Sequence, residues 1–147
     1  MSKEQRENSD HSIFFIERQK TIVSDFDASG FILDIGGGGE GIIAQLKGQQ
    51  VVAIDPSLRE LEEAPGGPLK IVMDAGEMHF LDNSFEVVTS FFTLMYIEGS
   101  KHRKIFEEVH RVLQSQGRFL ILDIDLPHRL DDERDIVAFY LTIKLPE

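Results

Sequence analysis

The sequence predicts a doubly wound α/β domain, with a mostly parallel sheet and helices on both faces. Three features point there: short apolar runs of strand length, helical stretches between several of them, and a glycine cluster directly after the first run. The runs are FILDI (31–35), VVAID (51–55), LKIVM (69–73), EVVTSFF (86–92) and RFLILDID (118–125). They lack strict apolar–polar alternation, as expected of strands buried on both faces of a parallel sheet. Strands alternating with helices imply right-handed crossovers, and ligands on such sheets sit beyond the carboxyl ends of the strands.

The crossovers are legible one by one. GIIAQLKG (41–48) reads as a short helix stopped by Gly48, and PSLRELEEA (56–64) as another stopped by PGGP. KHRKIFEEVHRVLQ (101–114) is the clearest: Ile105, Phe106, Val109, Val112 and Leu113 fall at helical spacing, with Lys, Arg and Glu on the other face. Ahead of the first run, HSIFFIERQKTIVSDF (11–26) is predicted to be an amphipathic helix capped by Ser12. Ile13, Phe14 and Ile16 start its apolar stripe, and Ile22, Val23 and Phe26 resume it. Met1 to Asp10 is polar, with neither a secretory nor a transit composition, and reads as a frayed end.

Composition narrows the function. A chain of 147 residues, 41% hydrophobic, suits one soluble domain spanning 1–147, and no apolar stretch approaches the ~20 residues of a membrane span. Cytoplasmic placement is the default. The absence of cysteine removes disulfide and thiolate chemistry. A net charge of −11 disfavours nucleic-acid binding, which needs a concentrated basic surface. Lys101, Arg103 and Lys104 are followed by Glu107 and Glu108, so they read as a solvated helix face.

Five of the twelve glycines lie between positions 36 and 41. Gly36, Gly38 and Gly41 fit G-x-G-x-x-G, and Asp55 ends the second run, which would suit a nicotinamide or flavin dinucleotide. A bare tight turn is the plainer alternative. No Lys followed by Ser or Thr is present, which removes the P-loop. Asp34, two residues before Gly36, separates the remaining readings. A carboxylate there would repel a pyrophosphate and attract a cation. S-adenosylmethionine carries a sulfonium and an ammonium and no phosphate.

With these motifs the chain resembles the class I S-adenosylmethionine-dependent methyltransferases over about residues 30 to 125. LDIGGGGEG is similar to that family's first motif and VVAIDPS to its second-strand motif. IVMDAGEMHFLDNSFEVVTSFFTLMYI resembles the stretch from third strand to post-fourth-strand loop, and FEEVHRVLQSQGRFLILD the closing helix and strand. The resemblance implies a Rossmann-like sheet and an S-adenosyl-L-methionine site made of Asp34, Gly36, Gly37, Gly38, Asp55, Pro56, Asp74, Ala75 and Phe91. In it Asp55 would hold the ribose hydroxyls and Asp74 the adenine amino group, with Ala75 and Met78 near the ring. Phe91 and Phe92 would form a wall of the methionine pocket or simply pack in the core. Three departures stand out: Glu40 takes the third glycine's place with Gly41 one position late, Glu86 replaces an aspartate, and QSQG replaces Pro-Gly-Gly.

Methyl transfer needs alignment and desolvation, and a general base only when the acceptor arrives protonated. No catalytic group is therefore demanded. Tyr96, after the fourth run beside Met95, is the one candidate, set against a lid or packing role. Asp55 and Asp74 could instead cap local turns. His79, His102, His110 and His128 lack metal-ligand spacing, and His102 and His110 read as solvated; DDERD (131–135) reads as a solvated turn. No metal is expected.

The segment IVAFYLTIKL (136–145) alternates like a strand. The family sheet has seven strands, so a shortened sheet is expected, with 136–147 supplying an edge strand. Its expected partner is either the strand at 118–125 or a second copy of the chain, giving a homo-oligomer. The resulting reading is a methyltransferase acting on a small molecule or protein. The alternatives are a cofactor-binding regulatory or interaction domain with little or no turnover, an NAD(P)-binding oxidoreductase, and a ligand-free structural subunit.

Overall fold

The computed structural model describes residues 13–15, 17–124, 136–138 and 140–147. In chain order the elements are β1 (Ile13–Phe15), β2 (Gln19–Ile22), β3 (Ile32–Ile35), α1 (Ile42–Lys47), β4 (Val51–Asp55), α2 (Leu58–Glu63), β5 (Leu69–Val72), β6 (Phe85–Phe91), α3 (Gly99–Val112), β7 (Leu113–Leu122), β8 (Ile136–Ala138) and β9 (Leu141–Lys144). They divide into two compact units, residues 26–125 and a smaller one drawn from both ends of the chain.

In the larger unit β3 to β7 form one five-stranded sheet in the order β5-β4-β3-β6-β7, with every neighbouring pair parallel. This is the doubly wound arrangement expected. Successive residues of the central strands point to opposite faces, and each face has its own core. Leu33, Ile35, Val52, Ile54 and Val88 pack with Ile105, Val109 and Val112 of α3. Ile32, Val51, Ala53 and Val87 pack with Ile43 of α1 and Leu61 of α2. Only the central strands are buried on both faces. At the edge of the sheet, Leu69 and Val72 of β5 are exposed, because a strand with one neighbour is flanked by less of the helical layers.

Local chemistry sets the boundaries. Ser57 caps α2, its hydroxyl accepting from the Glu60 N–H. Gly48 ends α1 with φ 53°. At the predicted QSQG departure the chain passes from α3 straight into β7 through a bulge, where Gln116 has φ 63°. A Cβ on Gly117 would stand 2.9 Å from the Gln114 carbonyl oxygen and 3.0 Å from that of Glu86, so this position needs glycine for close approach. Glu86 does more than replace an aspartate. Its Oε2 accepts from the Ser29 hydroxyl and N–H, both 2.8 Å, and from the Gly30 N–H at 2.9 Å. These bonds hold its carboxyl below the ordinary glutamate range and fix the chain's entry into β3.

One polar group in this core has no partner. Ser90 of β6 is fully buried, and its hydroxyl makes no hydrogen bond among the described residues. Ser90→Ala removes that desolvated group, so stability in urea unfolding is expected to stay level or rise by up to about 1 kcal/mol. A loss of more than about 1 kcal/mol would reveal a partner for the hydroxyl.

The chain ends depart from expectation. The described residues of 11–26 do not form the predicted helix: they make up β1, β2 and irregular backbone. The polar interval between Ile16 and Ile22 leaves no continuous helical stripe, whereas Thr21, Ile22 and Val23 are β-branched and favour extended backbone. The segment 136–145 is two short strands rather than one, and within the chain its partners are not the strand ending at Leu122. β8 runs parallel to β1, and β9 parallel to β2. The predicted alternation does hold in β9, where Leu141 and Ile143 are half-buried and Thr142 and Lys144 exposed. Arg18 lies over the Tyr140 ring, 5.5 Å from its centroid. The predicted cap Ser12, the frayed end 1–10, His128 and the turn 131–135 lie outside the described residues. Among the described residues no helix is long and apolar enough to cross a membrane.

Candidate functional site

The carboxyl ends of β3, β4 and β6 converge on the glycine turn. Gly36 leaves β3 with φ 70°, and the Gly36 and Gly37 N–H groups donate to the Ile54 carbonyl at 2.8 and 3.1 Å. The turn is thereby tied to the neighbouring strand. Gly39 donates to the Glu60 carbonyl at 2.8 Å and Gly41 to that of Gly38 at 3.3 Å. The displaced third glycine is accommodated by two left-handed residues, Gly39 and Gly41, with exposed Glu40 between them. Gly41 then stands at the N-cap of α1.

This hydrogen-bonding pattern decides what the turn can bind. A pyrophosphate site needs N–H groups that point outward from the turn and from a following helix. Here four of the turn's N–H groups are taken by the protein's own carbonyls, and α1 has six residues. The surrounding charge is negative. Asp55 Oδ2 lies 2.9 Å from the place a Cβ on Gly38 would take, and Glu60 Oε2 lies 3.0 Å from that on Gly39. Asp34 Oδ2 is 2.9 Å from the corresponding place on Gly37. The Asp55 and Glu60 carboxylates, against a turn with few free donors, suit a cation and oppose a phosphate.

Asp34 does not open onto the crevice as the sequence suggests. It is only 4% exposed, beneath Gly37, and its Oδ1 accepts from the Thr89 hydroxyl at 2.7 Å. Burial pushes its carboxyl up to about 7, against the Thr89 hydrogen bond, and nearby Asp55 adds to the rise. Asp55 ends β4, half-buried, and its Oδ1 accepts from the Ser57 N–H at 2.8 Å. Ser57, not Asp55, is thus the cap of α2. Pro56 is exposed.

Asp74 is exposed after β5; its Oδ1 accepts from the Gly76 N–H at 2.7 Å, so it closes its own turn as well. Ala75 and Met78 are buried in the layer under α3. That loop is braced by groups the sequence reading passed over as a polar helix face. Glu108 Oε2 accepts from the Met78 N–H at 2.7 Å. Arg111 bonds Glu108 through two nitrogens and reaches the Met78 and Phe80 carbonyls and the Asp82 carboxylate. The only sequence signal was the i, i+3 spacing of the pair.

After β6 the chain turns back. Phe91 is partly buried against the α1–α2 layer, Phe92 has φ 54°, and a one-turn helix spans Leu94–Tyr96. Thr93 packs on the glycine turn: a Cβ on Gly36 would lie 2.3 Å from its hydroxyl oxygen. Tyr96 ends that one-turn helix and is 80% exposed. His102 is half-buried rather than solvated, its Nε2 3.0 Å from both the Leu94 and the Ile97 carbonyl oxygens. His110 is exposed as expected.

The structure brings Asp34, Gly36, Gly37, Gly38, Asp55 and Phe91 to one end of the sheet, and leaves Asp74, Ala75 and Tyr96 on the loops beside it. Residues 33–121 match the family model of a methyltransferase domain. The chain is 33% identical over 101 residues to a demethylmenaquinone methyltransferase of Thermotoga maritima, covering 66% of this chain and 43% of that protein. A protein of Pyrococcus horikoshii of known structure is 29% identical, with TM-score 0.57, over 63% of this chain and 48% of its own. An S-adenosylmethionine-dependent methyltransferase of Mesorhizobium loti is 25% identical, with TM-score 0.52, over 62% and 44% respectively. The chain thus spans less than half the length of these relatives.

Proposed function

Since the chain belongs to the class I S-adenosylmethionine-dependent methyltransferase family, we propose that residues 26–125 bind S-adenosylmethionine at the glycine turn and present its methyl group to a small-molecule or protein acceptor. The observation that carries this reading is the turn itself, with four of its N–H groups taken by the protein and the Asp55 and Glu60 carboxylates beside it. Such a site favours a ligand that is cationic and lacks phosphate. Asp55, with one oxygen held by Ser57, has the other directed toward Gly38 and suits a pair of ribose hydroxyls. Asp74 would receive the adenine amino group, above Ala75 and Met78.

The cofactor, when bound, supplies a methyl already activated by the sulfonium. The chain's own task is then alignment and exclusion of water, for which Phe91 and the close contact of Thr93 with Gly36 provide the packing. No described residue is assigned as a base; an acceptor that is already nucleophilic needs none. Among acceptors, the net charge of −11 favours a small molecule or protein over nucleic acid. The Thermotoga relative's name adds an apolar quinone precursor to the small-molecule class worth assaying.

Calorimetric titration with S-adenosylhomocysteine and with NADH separates this reading from an oxidoreductase. The first is expected to bind and the second not. Asp55→Ala should weaken S-adenosylhomocysteine by about 1–3 kcal/mol through loss of charge-assisted hydrogen bonds. Binding of NADH alone, or undiminished affinity in the variant, would overturn the assignment.

A further inference from the structure

The turn at residues 93–97 is held by two side chains outside the proposed cofactor contacts. The Thr93 N–H donates to Asp123 Oδ1 at 3.0 Å, and the Leu94 and Met95 N–H groups face the same carboxylate. The Tyr96 and Ile97 N–H groups are satisfied inside the turn by the Thr93 and Leu94 carbonyls, both at 3.0 Å. The Leu94 and Ile97 carbonyls in turn face His102 Nε2. Two carbonyl oxygens can only accept, so Nε2 must carry a proton. Asp123, just past the end of β7, and His102 of α3 thus approach the turn from two different elements.

That turn has a defined place along the site. The sheet order β5-β4-β3-β6 puts Asp74, Asp55, the glycine turn and residues 93–97 side by side at successive strand ends, spaced by about 4.8 Å per strand. Resting on the proposed site, adenine at β5 and ribose at β4 direct the remainder of the ligand, sulfur and amino acid, across β3 toward β6. There the turn is pressed against Gly36. Phe92, with φ 54° and its N–H on the Leu122 carbonyl at 2.6 Å, adopts a conformation costly for an aromatic residue, which the surrounding contacts must maintain.

We propose that Asp123 and His102 are positioning residues that hold the 93–97 turn against Gly36 as the wall of the pocket for the cofactor's amino-acid end. They act through the turn and touch neither the nucleoside nor the methyl acceptor.

Two ligands distinguish this role from general support of the fold. S-adenosylhomocysteine has the amino-acid end; methylthioadenosine has the same nucleoside and sulfur without it. In calorimetric titrations of the full chain, Asp123→Ala and His102→Ala are each expected to weaken S-adenosylhomocysteine about tenfold or more. Methylthioadenosine should stay within about twofold of wild type, and His102→Gln, which keeps an N–H donor, should recover part of the loss. Equal weakening of both ligands, or of neither, would overturn the role while leaving the site intact. A wild-type protein that binds neither ligand would overturn the site itself and this inference with it. If the variants fail to fold, imidazole ¹⁵N shifts of the wild-type protein decide: a proton on Nε2 is required, and a neutral ring protonated only at Nδ1 would refute the arrangement.

Discussion

Asp34→Asn is expected to be more stable than the wild-type protein at pH 8 by about 2–4 kcal/mol, and no more stable below about pH 4. The cause is the burial that pushes the Asp34 carboxyl from 3.8 to about 7. Between those two values the folded chain keeps a proton that the unfolded chain has released, so the free energy of unfolding falls as pH rises. The cost is absent below the unfolded value, grows through the window from about 4 to 7, and is complete above it. A shift of about three units sets a ceiling near 4 kcal/mol. Asparagine is neutral at every pH, and its carbonyl oxygen can accept from the Thr89 hydroxyl as the carboxyl does. Taking the difference between variant and wild type cancels the other carboxylates of this acidic chain. Urea unfolding of both proteins from pH 4 to 8 measures it; two parallel stability curves would show that Asp34 ionises freely in the fold.

The same residue shows how far local sequence can be read. Asp34, the glycines and Asp55 are adjacent in the chain or sit at strand ends, so hydrophobic patterning alone located them. VVAID became β4 without adjustment, and the helical periodicity of 101–114 gave α3 to within two residues at each end. What could not be read was each group's partner. Thr89 meets Asp34 only because β6 aligns with β3 in register, across 55 residues of sequence. Asp123 and Thr93 are 30 residues apart, and Glu86 and Ser29 57. Nothing in the neighbouring residues marks such pairs. The error over 11–26 has a different origin. Its apolar residues are compatible with two periodicities, and the choice rests on the parallel partners β8 and β9 more than 110 positions away. Glu40 illustrates a third case: one position of slippage in the glycine motif was absorbed because both Gly39 and Gly41 can enter left-handed backbone.

Gly36→Ala is expected to destabilise the chain by about 2–5 kcal/mol, from two separable causes. The first is backbone conformation. At φ 70° an alanine suffers the left-handed penalty, about 1–2 kcal/mol, wherever it sits. The second is contact. The new Cβ would be placed 2.3 Å from the Thr93 hydroxyl oxygen and 2.4 Å from its Cγ2, and it cannot be accommodated unless the turn over the glycines retreats. Overpacking of this kind costs about 1–3 kcal/mol. A double-mutant cycle with Thr93→Gly separates them, since removing the Thr93 side chain relieves the collision and leaves φ unchanged. The expected coupling is about 1–3 kcal/mol in favour of the double variant. A coupling near zero would assign the whole loss to backbone strain and would mean that the turn yields freely, leaving Asp123 and His102 with little to hold. Because the retreating turn would also open the wall beside Gly36, the single variant should lose affinity for S-adenosylhomocysteine beyond its loss of stability, measured at a temperature where it remains folded.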